Sequence, residues 1–251
     1  MGIKTNLHKD TVKRIVEDEL HFKKVNLKSI PHELTEDLKR KRIEISEKLF
    51  KILIDVPEKE KRNILTMDES WIFFDNPPTS KFISDDEERP KKVKKSIGSQ
   101  KILLIVIWST CAIEFIDFLP RKKKFNRDYF SEKLLPELFT KIKKRRPKRG
   151  TNGIMLHLDN ARPHLVEDKL KEMGIIRLPH PPSSPDLAPS DFFLFGYLKE
   201  KLEGKNFVNE EDLKKETISI MKNIEKKTLK KVFNEWIKRL NQCIENKGDY
   251  L

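Results

Sequence analysis

The chain has 251 residues, a formal net charge of +13 at pH 7, and hydrophobic residues at 37% of its positions. It contains no run of eighteen apolar residues, and its first ten residues lack the apolar segment of a signal peptide, so neither a membrane span nor a secretory leader is expected. Two cysteines, Cys111 and Cys243, are too few for a disulfide scaffold or a cysteine-rich zinc site and are typical of a reducing intracellular compartment.

The pattern of apolar residues predicts helices first and strands afterwards. Residues 8–20 and 34–54 have apolar side chains at helical spacing, and Thr35 is placed to cap the second helix. The period then becomes that of strands, which are predicted at 63–74, 101–108 and 112–120. The segment 75–100, between the first two strands, has no apolar periodicity and is expected to form a long charged excursion.

The second half of the chain alternates between the two types of element. We predict a helix over 125–146, a strand over 153–158, a helix of about ten residues that ends near Gly174, a strand over 175–180, and helices over 209–224 and 227–245. The Pro-rich HPPSSPDLAPS cannot be a helix or a central strand, and it leads to Ser190 as the N-cap of a helix that ends at Gly204. This order predicts an α/β fold of the RNase H-like type, with a mixed five-stranded sheet flanked by helices.

Positive charge is concentrated in two runs. Residues 121–150 carry thirteen Lys or Arg against three acids, and residues 89–101 carry six Lys or Arg and no acid. One such run is typical of a solvated surface, whereas two runs around an acidic cluster favour a nucleic-acid partner. The sequences KKVKK and KKRRPKR also fit nuclear-import signals, and the sequence does not separate the two roles.

Three carboxylates stand at positions that favour a shared site. Asp68 lies inside an apolar strand, where an unpaired charge is costly to bury, and Glu69 beside it points to the opposite face. Asp159 directly follows a strand, where α/β sheets place their ligands, although an Asx turn would explain it equally well. Asp191 lies in the first turn of a helix, on the apolar stripe that should face the sheet, so we expect it to point towards the sheet. Its rival Asp186 lies in a Pro-bounded turn.

The chemistry of such a site depends on cations. Three carboxylates in one cleft would repel one another, and their oxygen ligands suit Mg²⁺ or Mn²⁺, of which two ions would neutralise the cluster. A pair of ions can activate a water or a 3′-hydroxyl and stabilise the leaving oxygen of a phosphodiester. Other chemistries have less support in the sequence. The histidines lack paired zinc-ligand spacing, no serine has a nucleophile-elbow setting, and no glycine-rich phosphate loop occurs; the residues concerned are His157, His164, His180, Ser183 and Ser184.

Four blocks of the sequence resemble mariner-type transposases of the Tc/mariner superfamily: MDESWI, HLDNARPH, PPSSPDLAPSDFFLFGYLK and QCIENKGDY. The upstream SIPHELTEDLK resembles the family's linker between its DNA-binding and catalytic regions. By this resemblance Asp68, Asp159 and Asp191 match the three catalytic, metal-binding aspartates of a DDE/D domain. The implied activity is metal-dependent cleavage at transposon ends, followed by strand transfer of a 3′-hydroxyl into target DNA.

The resemblance also implies how the chain is organised. Residues 1–33 correspond to the end of a second helix-turn-helix unit with its linker, 34–62 to a connecting helix, and 63–251 to the catalytic domain, in which 75–100 is the clamp loop. DNA is therefore the expected partner, a homodimer on DNA the expected assembly, and the nucleus the expected location. The cations expected to contact DNA are Lys91, Lys92, Lys94, Lys95, Lys122, Lys123, Lys124, Arg145, Arg146 and Arg162.

Two features depart from the family pattern. The family's first helix-turn-helix unit is expected to be missing ahead of residues 8–20. Thirty-one residues separate Asp159 from Asp191, three fewer than is typical, and the shortening is expected in the helix between His164 and Ser183. An alternative function is therefore a catalytically inactive, truncated or domesticated DNA-binding remnant of a transposase.

Overall fold

The computed structural model describes residues 8–21, 32–78, 100–121, 123–148, 150–161 and 166–251. It divides the chain into two compact units, Met1–Glu33 and Leu34–Leu251. In the first unit, helix α1 spans Lys9–Arg14 and continues as a π-helical turn over Ile15–Glu19, as predicted for 8–20. Most of the predicted excursion, residues 79–99, lies outside the described residues, and the three-part division remains a prediction.

A mixed five-stranded sheet forms the centre of the second unit, which confirms the predicted fold class. Its strands are β1 Ile64–Phe73, β2 Lys101–Ser109, β3 Ile113–Phe118, β4 Met155–His157 and β5 Ile176–Leu178. Their order is β3-β2-β1-β4-β5, so that β1 lies in the middle. The first three strands pair antiparallel, whereas β4 pairs parallel with both β1 and β5.

Six helices flank or extend the sheet among the described residues of this unit. They are α2 Glu36–Asp55, α3 (a π turn Tyr129–Leu134 continued by Leu135–Arg145), α4 Glu167–Glu172, α5 (a π turn Ser190–Leu194 continued by Phe195–Leu202), α6 Glu210–Lys222 and α7 Lys226–Glu245. As predicted, Thr35 caps α2, since its hydroxyl accepts the Leu38 N–H at 3.3 Å. Helix α4 has six described residues, whereas a helix of about ten was predicted; residues 162–165, which precede it, lie outside the described ranges. Within the described ranges, no helix combines the length and the apolar character that a membrane crossing needs.

Apolar side chains fill both faces of the sheet. On β2, Leu104, Val106 and Trp108 pack in the core beneath α2, α5, α6 and α7, while Ile105 and Ile107 pack against α3 and α4. Burial on both faces explains why β2 is continuously apolar rather than alternating. On β1, Asp68 has the parity of Ile64 and Ile72, which places it on the α5 face.

The expectation that Ser190 caps α5 is wrong. The turn already begins at Pro189, and the Ala188 carbonyl accepts the N–H groups of Asp191 and Phe192, each at 3.0 Å. The Ser190 hydroxyl instead accepts the indole N–H of fully buried Trp108 at 3.0 Å. A buried indole N–H needs an acceptor, and this requirement takes the hydroxyl that the sequence pattern assigned to the cap.

Replacing Ser190 by Ala should destabilise the fold by about 1–3 kcal/mol, because it leaves the Trp108 N–H buried without its acceptor. Urea unfolding of the two single variants, Ser190→Ala and Trp108→Phe, and of the double variant measures the coupling. We expect the double variant to lose less free energy of unfolding than the two single variants lose together. Strict additivity would contradict the role given to this hydrogen bond.

Candidate active site

The register of the two parallel central strands brings Asp68 and Asp159 together. Thr66 on β1 pairs with His157 on β4, and the Thr66 hydroxyl lies 3.1 Å from His157 Nδ1, so the two side chains share one face. Asp68 and Asp159 each follow two residues later. This register places both carboxylates near the carboxyl end of β4, where the charge of Asp159 raises the pKa of Asp68.

Helix α5 brings the third carboxylate to the same place. Trp108 lies directly opposite Thr66 in the sheet, and its bond to Ser190 fixes the first turn of α5 over this level of β1. Asp191 follows Ser190 and interacts electrostatically with both Asp68 and Asp159. The structure therefore brings all three sequence-predicted aspartates into one cluster.

The charges of this cluster oppose one another. Burial raises the pKa of the Asp68 carboxyl well above its ordinary value of 3.8, and the charge of Asp191 is the next largest cause. Glu69 and Asp159 raise the pKa of Asp68 further, while the Glu69 N–H, which the Asp68 carboxylate accepts at 2.8 Å, lowers it.

Asp191 lies at the open side of the cluster. Burial raises the pKa of its carboxyl to about 6, and Asp159 adds to the increase, while Lys199 lowers it. Solvent nevertheless reaches the side chain, so Asp191 is less enclosed than its place on the apolar stripe predicted. The reason is the π-helical turn: Phe195 N–H bonds to the Ser190 carbonyl five residues back, which shifts Asp191 out of line with the buried positions that follow.

Two buried histidines support the strand that ends at Asp159. His157 Nε2 lies 3.0 Å from His180 Nδ1, and burial lowers the pKa of both rings, that of His180 to about 4, so both are neutral near pH 7. The Asn160 side chain also donates to the His180 carbonyl at 2.8 Å. These contacts fix the end of β4, where the Asp159 carboxylate accepts the Ala161 N–H at 2.9 Å and so forms an Asx turn as well as contributing to the cluster.

The site has the ligand chemistry for a divalent ion but not a closed coordination shell. Within the described part of the chain, no three His, Cys, Asp or Glu side chains are arranged closely enough to hold an ion as they stand. Carboxylate oxygens that raise one another's pKa are nevertheless the donor set that Mg²⁺ or Mn²⁺ would relieve. His164, the third histidine of the weaker zinc hypothesis, lies outside the described residues.

The predicted DNA-contacting cations are described only in part. Lys123 and Lys124 are exposed. Arg146 is half-buried, and its guanidinium donates to the Asn152 carbonyl at 3.3 Å, so part of its hydrogen bonding is internal. The other predicted contacts fall on residues or side chains outside the described part of the chain: Lys91, Lys92, Lys94, Lys95, Lys122, Arg145 and Arg162.

Asp186, the rival for the third carboxylate, has a different partner. Its carboxylate accepts two hydrogen bonds from the buried guanidinium of Arg42, at 2.7 and 3.0 Å. No local sequence signal predicts this pair, since 143 residues lie between the two positions. The ion pair removes Asp186 from the candidate ligands and leaves Asp191 in that role.

The raised pKa of Asp68 predicts how stability changes with pH. A carboxyl whose folded pKa lies above its unfolded value favours folding when protonated, and this contribution is lost as pH rises through the folded pKa. In EDTA at pH 7.5, Asp68→Asn should therefore raise Tm by a few degrees, the shift that about 1 kcal/mol produces in a domain of this size. The gain should shrink as pH falls towards 4.

Glu47→Gln, on the exposed middle of α2, is the matched control: it also changes a carboxylate to an amide and should show no comparable gain. Thermal unfolding followed by circular dichroism between pH 4 and 8 measures both variants. A lower Tm for Asp68→Asn at pH 7.5 in EDTA would mean that its carboxylate is not under electrostatic strain.

Comparison with known proteins points to the same group of proteins as the four sequence blocks. Residues 73–151 match the family described as transposase (partial DDE domain). The chain is 32% identical to the human (Homo sapiens) histone-lysine N-methyltransferase SETMAR over 253 residues, covering 98% of this chain and 36% of that protein. It is 30% identical to the mariner Mos1 transposase of Drosophila mauritiana over 195 residues, covering 74% of this chain and 55% of that protein. The chain thus spans well under two thirds of the length of either relative.

Solved structures extend the likeness to the fold. The catalytic domain of Mos1 mariner transposase superposes with a TM-score of 0.72 at 26% identity, covering 89% of this chain and 100% of that domain. A Mos1 mariner paired-end complex with Mn superposes with a TM-score of 0.85 at 23% identity, covering 100% of this chain and 74% of that one. These matches show that the chain is homologous to a mariner transposase and has the fold of its catalytic domain.

Proposed function

We propose that this chain is the catalytic region of a DNA transposase, which cleaves phosphodiester bonds at transposon ends and joins the freed 3′-hydroxyl to target DNA. The observation that carries the proposal is the cluster of Asp68, Asp159 and Asp191, whose charges act on one another at the carboxyl end of β4. The family match and the likeness to Mos1 structures support it.

The three aspartates would hold Mg²⁺ or Mn²⁺, two ions in the arrangement we propose. Ions bound there supply charge stabilisation and activate a water or 3′-hydroxyl for attack at phosphorus. Asp68 and Asp159 are held by strand register, so they define the fixed side of the site. Asp191, which is exposed at the start of α5, would supply the third ligand from the solvent side of the site. The existence of a Mos1 paired-end complex with Mn supports this assignment.

DNA and a second copy of the chain are the partners we propose. The basic run that includes Lys123 and Lys124 would contact phosphates without reading sequence. Mos1 has been solved as a paired-end complex with its left transposon end, which supports transposon-end DNA as the substrate and a paired assembly as the working form. Action on chromosomal DNA also leads us to propose a nuclear location.

Cleavage should depend on Asp159. Incubated with Mn²⁺ and a transposon-end duplex, the wild-type chain should nick the DNA, and Asp159→Ala should lower the rate more than about 100-fold. This bound follows because the loss of a metal ligand should exceed the 10–100-fold cost of losing a ligand's hydrogen-bond partner. A denaturing gel of labelled duplex measures the nicks.

Asp168→Ala, on the exposed first turn of α4, serves as the matched control and should cleave like the wild type. Equal cleavage by Asp159→Ala and wild type would remove the catalytic assignment.

A second candidate function is DNA binding without catalysis. Two observations favour it: the carboxylates do not form a closed coordination shell among the described residues, and the chain is homologous to a human protein named for a different activity. This alternative predicts salt-sensitive DNA binding on a native gel and no nicks on the denaturing gel at any Mn²⁺ concentration.

DNA binding should weaken with salt through the exposed lysines. Replacing Lys123 and Lys124 by Gln should lower affinity at each salt concentration and reduce the slope of log K against log salt by about 0.9 for each phosphate that the variant no longer neutralises. Fluorescence anisotropy of a labelled duplex measures the slope. As a control, the double variant Lys226→Gln, Lys227→Gln removes the same charge at the start of α7 and should leave the slope unchanged. If both double variants reduced the slope equally, a specific role for the basic run would be contradicted.

A further inference from the structure

The Pro-rich loop, residues 179–189, connects two of the three carboxylates. At the start of the loop, the His180 ring hydrogen-bonds to the His157 ring, and the His180 carbonyl accepts a hydrogen bond from the Asn160 side chain. His157 and Asn160 lie on either side of Asp159 in the chain. At its end, Ala188 supplies the carbonyl that accepts the Asp191 N–H. The position of this loop therefore sets where Asp191 lies relative to Asp159.

Arg42 holds this loop from α2. Its side chain is fully buried, and its guanidinium donates to both Asp186 carboxylate oxygens and to the Ser184 hydroxyl. Asp186 belongs to the 3-10 turn Pro185–Leu187, in which the Leu187 N–H bonds to the Ser184 carbonyl at 3.0 Å. The ion pair is thus only two residues from the carbonyl that bonds to Asp191.

The segment after α7 completes the contact. Arg42 Nε donates to the Gly248 carbonyl at 2.8 Å, and the Tyr250 ring lies over the guanidinium at 4.7 Å. Gly248 has a φ of 82°, and a Cβ there would lie 2.5 Å from the Lys39 carbonyl oxygen, so only glycine fits. This requirement accounts for the glycine in the block QCIENKGDY. The proposed catalytic function by itself gives this block no role.

The loop needs such support because it contains a strained residue. Ser183 has a φ of 50°, a left-handed conformation that residues other than glycine adopt rarely. Its carbonyl accepts the Tyr250 hydroxyl at 3.0 Å, and the Asp186 carbonyl accepts from Arg239 of α7 at 3.2 Å. Contacts from α2, from α7 and from the segment after α7 therefore over-determine the conformation of the loop.

We propose that Arg42 is a positioning residue for the active site: with Asp186, Gly248 and Tyr250 it clamps the Pro-rich loop and thereby sets Asp191 against Asp68 and Asp159. The inference rests on the proposed metal-binding role of Asp191. Arg42 itself does not touch the reacting atoms. Its replacement should therefore loosen the loop first and weaken metal binding as a consequence.

Hydrogen exchange tests the clamp without any metal or DNA. Arg42→Lys keeps the charge but removes the two-pronged hydrogen bonding to Asp186. Peptides covering 181–194 should exchange at least about 10-fold faster than in the wild type, whereas the β2 peptide 101–109 should not change. Arg40→Lys makes the same substitution two residues away on an exposed side chain and should leave both peptides unchanged. Because Arg42→Lys disrupts a buried ion pair, Tyr250→Phe is the milder second variant: it removes the hydroxyl that donates to Ser183 and keeps the ring.

Mn²⁺ titration followed by electron paramagnetic resonance then tests the consequence for the site. Arg42→Lys should weaken Mn²⁺ binding about 10–100-fold, the range for losing a residue that orients a ligand, and Arg40→Lys should not. Unchanged exchange of 181–194 in both Arg42→Lys and Tyr250→Phe overturns the clamp. Faster exchange with unchanged Mn²⁺ affinity overturns the link to Asp191. A wild-type chain that binds no Mn²⁺ overturns the proposed function instead, and exchange alone then decides the clamp.

Discussion

Asp68, Asp159 and Asp191 come from a central strand, from the end of its parallel neighbour and from the first turn of a helix, and their negative charges act on one another there. This repulsion is the constraint on which the site depends. Burial of Asp68 makes its charged form costly, and the charges of Asp191 and Glu69 add to that cost. Carboxylates that raise one another's pKa in this way are suited to bind a divalent cation. Homology to a mariner transposase is the reason why we propose a catalytic role for that cation.

The rest of the domain explains how the cluster is kept in place. Strand register fixes Asp68 and Asp159, because a shift of one residue would send one carboxylate to the opposite face of the sheet. Asp191 depends on less local support. Its helix is tied to β2 through Trp108 and Ser190, and the loop before it is held by Arg42 and the segment around Gly248. Two sequence blocks far apart in the chain, PPSSPDLAPSDFFLFGYLK and QCIENKGDY, thus meet around the buried guanidinium of Arg42.

Much of this architecture could be predicted from the sequence, because apolar periodicity is a local property. The strands, most helix bounds and the Thr35 cap followed from it. What local pattern could not predict was the competition for side chains between distant elements. Ser190 has the chemistry of an N-cap, yet the buried Trp108 indole takes its hydroxyl. Asp186 and Asp191 are both carboxylates near a helix start, and no local pattern shows that Asp186 pairs with Arg42. The π turn that leaves Asp191 open to solvent likewise has no signature in the apolar periodicity.

The most direct test of the central claim is to locate manganese by its anomalous scattering in crystals of the wild-type chain grown with Mn²⁺. We expect anomalous peaks among Asp68, Asp159 and Asp191, with carboxylate oxygens at roughly 2.0–2.3 Å from the ion, close to the distance at which Mg²⁺ binds oxygen. Peaks only elsewhere on the protein, or three carboxylates that stay apart at saturating Mn²⁺, would contradict the claim.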